Sequence, residues 1–327
     1  MPLRQPELPR HAPGPEEALN PRAPPMSESR HLHWGAEALW QALGEVLPGL
    51  SVEVVASADS TNTQLLERAR LSSGRREAPP SMPGELDALP GQGQAALPGR
   101  RQGDTHPCLL VAEQQTSGRG RQGRVWQSAA GRSLTFSLAL PLDPPSWSGL
   151  SLAVGVALAD ALDSRGATDG PPRIGLKWPN DLFVLDAPGR GRKLGGVLIE
   201  TVPVGERRMA VVGVGLNVLP QATAPAELSS GFACLQELDP GIDAPQALHR
   251  VALPLAQALR RFGQAGLDPF VAGFRRRDML VGQRVRTTQP DLPEGIAEGI
   301  DAQGGLRVRA GALHTLVSGE VSVRPLA

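Results

Sequence analysis

Twelve residues constrain this chain more than any others: Gln115-Thr-Ser-Gly-Arg-Gly-Arg-Gln-Gly-Arg-Val-Trp126. Gly118, Gly120 and Gly123 alternate with Arg119, Arg121 and Arg124 between two apolar segments. Glycine lets backbone turn sharply and approach a ligand closely. Arginine adds a permanent charge and a planar fork of donors matched to carboxylate and phosphate. The expectation is a mobile loop that closes over an anion. The spacing also fits the G-x-G-x-x-G dinucleotide fingerprint, and Cys108 to Ala112 reads as a preceding strand. That fingerprint requires a helix to follow. Here Leu134, Phe136, Leu138 and Leu140 alternate within Val125 to Leu140, the period of a strand. The dinucleotide reading fails on that context.

The rest of the chain supports an enzyme-sized core. The chain has 327 residues, room for two domains. Its 33 basic and 33 acidic residues cancel, so no global field selects nucleic acid or membrane. Cys108 and Cys234 form no metal-binding or disulfide pattern, which suits a reducing cytoplasm. His31 and His33 lack further ligands nearby and read as surface residues. Residues 1–30 are proline-rich without an apolar stretch, and read as a disordered tail and not a secretory signal. Ser72 to Thr105, rich in Gly, Pro, Gln and Arg, reads as a flexible insertion. The apolar stretch Ser133 to Ala159 is interrupted by Asp143, Pro144 and Pro145, so no membrane span is expected.

Hydrophobic patterning gives the elements. His33 to Val46 is expected to be an amphipathic helix burying Trp34, Leu39, Trp40, Leu43 and Leu47. A strand Ser51 to Ala56 follows, then a helix to about Leu71, with Thr61 and Gln64 as a capping box. Ser148 to Leu162 is apolar all round, a buried helix. Ile174–Trp178, Leu182–Leu185, Lys193–Glu200 and Arg208–Val218 read as strands. Ala244 to Phe262 reads as a helix, kinked at Pro254. Val281–Thr287, Glu294–Asp301, Leu306–Arg309 and Leu313–Val323 read as strands of a small separate barrel.

Four further stretches carry chemistry. Lys177-Trp-Pro-Asn-Asp181 gathers a cation, an indole, an amide and a carboxylate around one turn. Lys193-Leu-Gly-Gly196 sets a lysine beside two glycines; the residue pattern equally suits a solvated lysine before a bulge. Gly213 and Gly215 strip one face of a strand ending at Asn217, either for a flat ligand or for closely packed backbone. Gly319 to Arg324 closes the series.

In that order and spacing, with Asp59-Ser-Thr-Asn62, these stretches resemble the biotin–protein ligases. The resemblance runs from about Leu50 to Arg324, apart from the insertion. It implies an α+β fold: a mixed β-sheet with flanking helices, akin to class II aminoacyl-tRNA synthetases, plus an SH3-like C-terminal barrel. The implied domains are 31–278 (catalytic, with 72–105 inserted) and 279–327. The implied reaction has two steps. Biotin's carboxylate attacks the ATP α-phosphorus, giving biotinyl-5′-adenylate and pyrophosphate. A lysine of a biotin carboxyl carrier protein domain then attacks the anhydride. Mg²⁺ is implied with ATP, and a homodimer is left open.

Residue roles follow from the same resemblance. Lys193, Arg121 and Asp181 are the implied catalytic groups. Ser60, Thr61, Asn62, Gln115, Gly118, Arg119, Gly120, Arg121, Lys193 and Gly196 are the implied biotin contacts. Arg119, Arg121, Arg124, Trp126, Lys177, Asn180 and Asn217 are implied on the ATP side. Members that double as repressors carry a helix-turn-helix. The short irregular head here does not suit one, so DNA binding is not expected. The rival class is a nucleic-acid binder using the arginine loop and Arg275-Arg276-Arg277, a run that otherwise reads as a solvated helix end.

Overall fold

The computed structural model describes residues 32–74, 106–164, 170–221, 231–317 and 323–325. The proline-rich head and nearly all of the expected insertion lie outside these residues. Seven strands form the main sheet: β1 (Ser51–Ala58), β2 (Cys108–Gln115), β3 (Ser133–Leu142), β4 (Ile174–Lys177), β5 (Asp181–Ala187), β6 (Arg190–Val204) and β7 (Arg207–Asn217). Their order is β1-β2-β3-β7-β6-β5-β4. The β1–β2 pair is parallel and every other pair antiparallel, so the sheet is mixed.

Strand β3 shows why the sheet is sandwiched. The alternating Leu134, Phe136, Leu138 and Leu140 are all buried, as the period-two pattern requires. So are Ser133, Thr135, Ser137 and Ala139 on the opposite face. Both faces of a central strand are covered, and the covering differs. Helix α2 (Thr61–Gly74) buries Leu65, Leu66 and Ala69 against Cys108, Leu110, Ala139, Met209 and Val211 on the small-residue face. Helix α3 (Leu150–Leu162) packs against α4 (Ala244–Ala265), and α4 also packs on β3. Asp243 caps α4 by accepting from the Gln246 backbone N–H at 2.8 Å, in a reciprocal capping box.

Several expectations are corrected. The first helix, α1, spans only Ala36–Gly44, and Trp40 is exposed, tied by its indole N–H to the Leu50 carbonyl at 3.0 Å. Helix α2 is capped one residue earlier than expected. Ser60 Oγ receives the Thr63 N–H, and Gln64 turns to Asp59. Thr61 is thereby released for the site. Residues 125–132 are not part of β3.

The C-terminal sheet is antiparallel and five-stranded, β11-β10-β9-β8-β12. Its strands are β8 (Arg284–Thr287), β9 (Glu294–Ile300), β10 (Leu306–Ala310), β11 (Ala312–Leu316) and β12 (Val323–Pro325). The expected last strand is therefore two. The short helix α5 (Val271–Arg277) leads into this sheet; Arg275 and Arg276 are exposed, as a solvated helix end requires, but Arg277 is not. It is buried, with Nε 2.8 Å from Asp160 and Nη1 2.9 Å from Asp163. Its remaining donors reach the Ile174 and Asp163 carbonyls at 2.9 Å. A buried guanidinium persists because every donor it turns inward is matched. The Trp178 indole donates to the Gly304 carbonyl at 3.0 Å, tying the β4–β5 turn to the C-terminal sheet.

Candidate active site

One cavity of about 1290 Å³ opens on the small-residue side of β6 and β7. All but one of the residues assigned from sequence line it: Ser60, Thr61, Asn62, Gln115, Arg119, Gly120, Arg121, Arg124, Trp126, Lys177, Asn180, Asp181, Lys193, Gly196 and Asn217. Gly118 does not. Its carbonyl accepts the Trp126 N–H at 2.8 Å, and a Cβ there would meet the Trp126 carbonyl oxygen at 2.4 Å. Gly118 therefore shapes the loop and does not contact the cavity.

The arginine–glycine stretch is a small hairpin. Arg119 bridges Val125, Gly120 donates to the Arg124 carbonyl at 2.7 Å, and residues 121–123 make a tight turn. Gln122 and Gly123 there take positive φ. Arg119 pairs with Glu200 at 2.8 Å, and Arg121 donates to Asn180 Oδ1 at 3.3 Å. Two arginines thus anchor the hairpin to β6 and to the β4–β5 turn.

The two ends of the cavity differ in character. At one end the N-terminus of α2 presents neutral polar groups. Gln115 Oε1 accepts the Thr61 backbone N–H at 2.7 Å, and Asn62 Nδ2 donates to Leu198 O and Glu200 at 3.2 and 2.9 Å. Gly213 explains how Asn62 fits: a Cβ there would lie 2.3 Å from Asn62 Oδ1. At Gly215 it would lie 2.5 Å from the Trp126 ring. The stripped face of β7 thus makes room for the Asn62 and Trp126 side chains, and Gly213 and Gly215 also line the cavity. Trp126 Nε1 is buried there without a hydrogen-bond partner among the described residues.

At the other end are cations. Phe183 pairs with Lys193 across β5 and β6, and Asp181, two residues along, shares that face. The Lys193 ammonium meets Asp181 at 2.8 Å, so the solvated-lysine alternative fails. Gly196 leaves room for the pair, since a Cβ there would stand 3.1 Å from Asp181 Oδ1. Lys177 faces Asp181 across the next ladder, and its ammonium lies 5.5 Å from the Phe183 ring centre. Burial holds the Lys177 pKa below the ordinary lysine value. Asp181 opposes this, and Lys193, Arg124 and Arg324 add to it. So many cations around one carboxylate suit a polyanion.

Asn217 lines the cavity and also braces it. Its Nδ2 donates to the Lys193 and Ala233 carbonyls at 3.3 and 3.0 Å, fixing the strand that carries Lys193. Three contributors were missed from sequence. Ser137 follows Ser133 and Thr135 on the small-residue face of β3; Glu200 lies within β6; Arg324 reaches the cavity from β12.

Among the described residues, no three His, Cys, Asp or Glu side chains gather as a metal site. No helix there is long and apolar enough to cross a membrane.

Comparison with known proteins agrees with this arrangement. The biotin/lipoate A/B protein ligase family matches residues 100–217, and the biotin protein ligase C terminal domain matches 280–324. The bifunctional ligase/repressor BirA of Escherichia coli K12 is 32% identical over 289 residues, covering 87% of this chain and 77% of that protein. The biotin--[acetyl-CoA-carboxylase] ligase of Mycobacterium tuberculosis is 33% identical over 305 residues, covering 90% and 94%. The biotin protein ligase from Aquifex aeolicus, solved in complex with biotin and ATP, superimposes with a TM-score of 0.58. It is 26% identical, with 85% of this chain and 100% of that one covered. With both its catalytic and its C-terminal portions matched, the chain belongs to the biotin protein ligase family.

Proposed function

We propose that this protein is an ATP-dependent biotin–protein ligase that activates biotin as biotinyl-5′-adenylate and passes it to a lysine of a biotin carboxyl carrier protein domain. The observation that carries this reading is the cavity's polarity: neutral donors and acceptors beside the mutually paired Arg119 and Glu200 at one end, an excess of cations at the other. Biotin has the matching form, with a ureido ring at one end and a carboxylate at the other. Thr61, Asn62 and Gln115 form the head-group wall. A dithiolane such as lipoate's offers nothing to such a wall.

Lys193, Lys177 and Arg121 stand where carboxylate and triphosphate would be brought together. These two anions repel each other, and fixed cations lower the cost of their approach. The carboxylate oxygen forms a bond to the α-phosphorus as the bond to pyrophosphate breaks. In the second step the carrier amine bonds to the acyl carbon, AMP departs, and the amine loses a proton. Asp181, at the cationic end, is the carboxylate for orienting that amine. Mg²⁺ fits here in the manner usual for nucleotide sites, through one carboxylate and the phosphates themselves. Asp181 is the residue for that contact, and the ion would neutralise triphosphate charge. Support comes from the names of the relatives and from the biotin and ATP held by the Aquifex aeolicus protein. The test is pyrophosphate exchange into ATP with biotin or lipoate, followed by transfer of labelled biotin to a carrier domain. Exchange driven by lipoate but not biotin would overturn the proposal.

A further inference from the structure

Behind the head-group wall sits a residue that touches no cavity surface. Ser137, on β3, is fully buried, and its hydroxyl lies 2.6 Å from both Thr61 Oγ1 and Asn62 Oδ1. Thr61 Oγ1 also lies 3.1 Å from Gln115 Oε1. These are three short contacts among four polar groups, and the protons available can be counted.

Asn62 is fixed first. Its Nδ2 faces two pure acceptors, the Leu198 carbonyl and the Glu200 carboxylate, so its Oδ1 must face Ser137. Gln115 is fixed at the other end, because its Oε1 receives the Thr61 backbone N–H at 2.7 Å. Asn62 and Gln115 therefore both point acceptors at the two hydroxyls. Ser137 and Thr61 bring one proton each, for three contacts. Ser137's proton goes to Asn62 Oδ1, since two bare acceptors at 2.6 Å would repel. The other 2.6 Å contact then needs Thr61's proton. The longest contact, Thr61 to Gln115, goes without one, and that acceptor is already served by the backbone.

We infer that Ser137 is a positioning residue that fixes the hydrogen-bonding sense of the head-group wall. It draws the Thr61 proton inward, so Thr61 offers a ligand only lone pairs, while Gln115 keeps its Nε2 as a donor. Such a wall selects a ligand carrying N–H and C=O side by side, as in a cyclic urea. It rejects one with an oxygen at the N–H position. A site wired for one sense discriminates strongly, because a mismatched ligand leaves buried groups unpaired. Glu200 supports the wiring through Asn62. The inference deepens the ligase reading and rests on it.

The experiment compares the wild-type protein, Ser137→Ala and Ser137→Cys in exchange assays. The substrates are biotin and its two cyclic-carbamate analogues, each with one ureido N–H replaced by oxygen. In the wild type, one analogue should show a KM at least about tenfold above biotin's. Without the Ser137 acceptor, the Thr61 proton is released to the cavity side, where Gln115 Oε1 at 3.1 Å and that oxygen compete for it. The KM ratio of analogue to biotin should then fall severalfold in Ser137→Ala, with kcat for biotin little changed. Ser137→Cys, a weak acceptor of nearly the same size, should fall between. Loss of packing alone would raise all three KM values together and leave the ratio intact, which would overturn the assignment. Equal KM values for biotin and both analogues in the wild type would also overturn it. Absence of biotin-dependent exchange in the wild type would instead remove the ligase reading and this inference with it.

Discussion

Replacing Lys193 with methionine separates stability from chemistry at the cationic end of the cavity. Methionine keeps most of the side chain's length and removes only the ammonium. In the structure that ammonium meets Asp181 at 2.8 Å, with each side chain about one-fifth exposed. Asp181 retains Lys177 across the neighbouring ladder, so it does not become an isolated buried charge. The stability change should therefore be small, about 1 kcal/mol, as for a partly solvated pair. The catalytic change should be larger. A preorganised charge aimed at the transition state contributes about 3 kcal/mol, which corresponds to roughly a 150-fold loss of rate. Biotin-dependent pyrophosphate exchange measures the rate, and a guanidinium titration on the same preparation measures stability. If Lys193 acts mainly in the transition state, kcat falls and KM for biotin holds; if it acts in binding, KM rises instead. Exchange within about threefold of wild type in a folded variant would refute the placement of Lys193 at the reacting groups.

Gly213→Ala should expel Asn62, because the new Cβ would sit 2.3 Å from its Oδ1; expect a biotin affinity loss of tenfold or more by calorimetry, roughly 1.4–3 kcal/mol. Arg277→Met removes the guanidinium from buried Asp163, which keeps the Arg173 and Ile174 N–H groups at 2.8 and 3.2 Å, and should cost about 3 kcal/mol in denaturant unfolding. Arg277 is not among the cavity-lining residues, so folded variant should keep near-normal exchange. Asp278→Asn should alter the pH profile of stability. Burial pushes the Asp278 carboxyl up to about 6, opposed by the Leu280 and Val281 backbone N–H groups. A folded acid that holds its proton more tightly than the unfolded chain destabilises the fold as pH rises from about 4 to about 6. The variant should match wild type near pH 4 and gain up to about 3 kcal/mol on it above pH 7, read as unfolding midpoints across that range. A constant offset at all pH values would refute the Asp278 assignment.

The sequence by itself picked out residues that line one cavity, and most of the architecture. The arginine–glycine run, the Lys177–Asp181 turn and the paired glycines at 195–196 and 213–215 carry their chemistry in local spacing, and local spacing survives folding. Strand and helix periodicity is likewise local, so β1 to β7 and α2 to α4 appear close to where the pattern places them. What the sequence could not contain was partnership across distance. Arg277 reads as one more cation at a helix end until Asp160 and Asp163, more than 110 positions earlier, are brought around it. Ser60 and Thr61 exchange roles because Gln115, 54 positions away, takes the Thr61 N–H. Ser137 and Glu200 matter through Asn62, which only the packing of α2 on β3, β6 and β7 brings to them. A proton's position depends on every neighbouring donor and acceptor, and those neighbours are chosen by the tertiary fold.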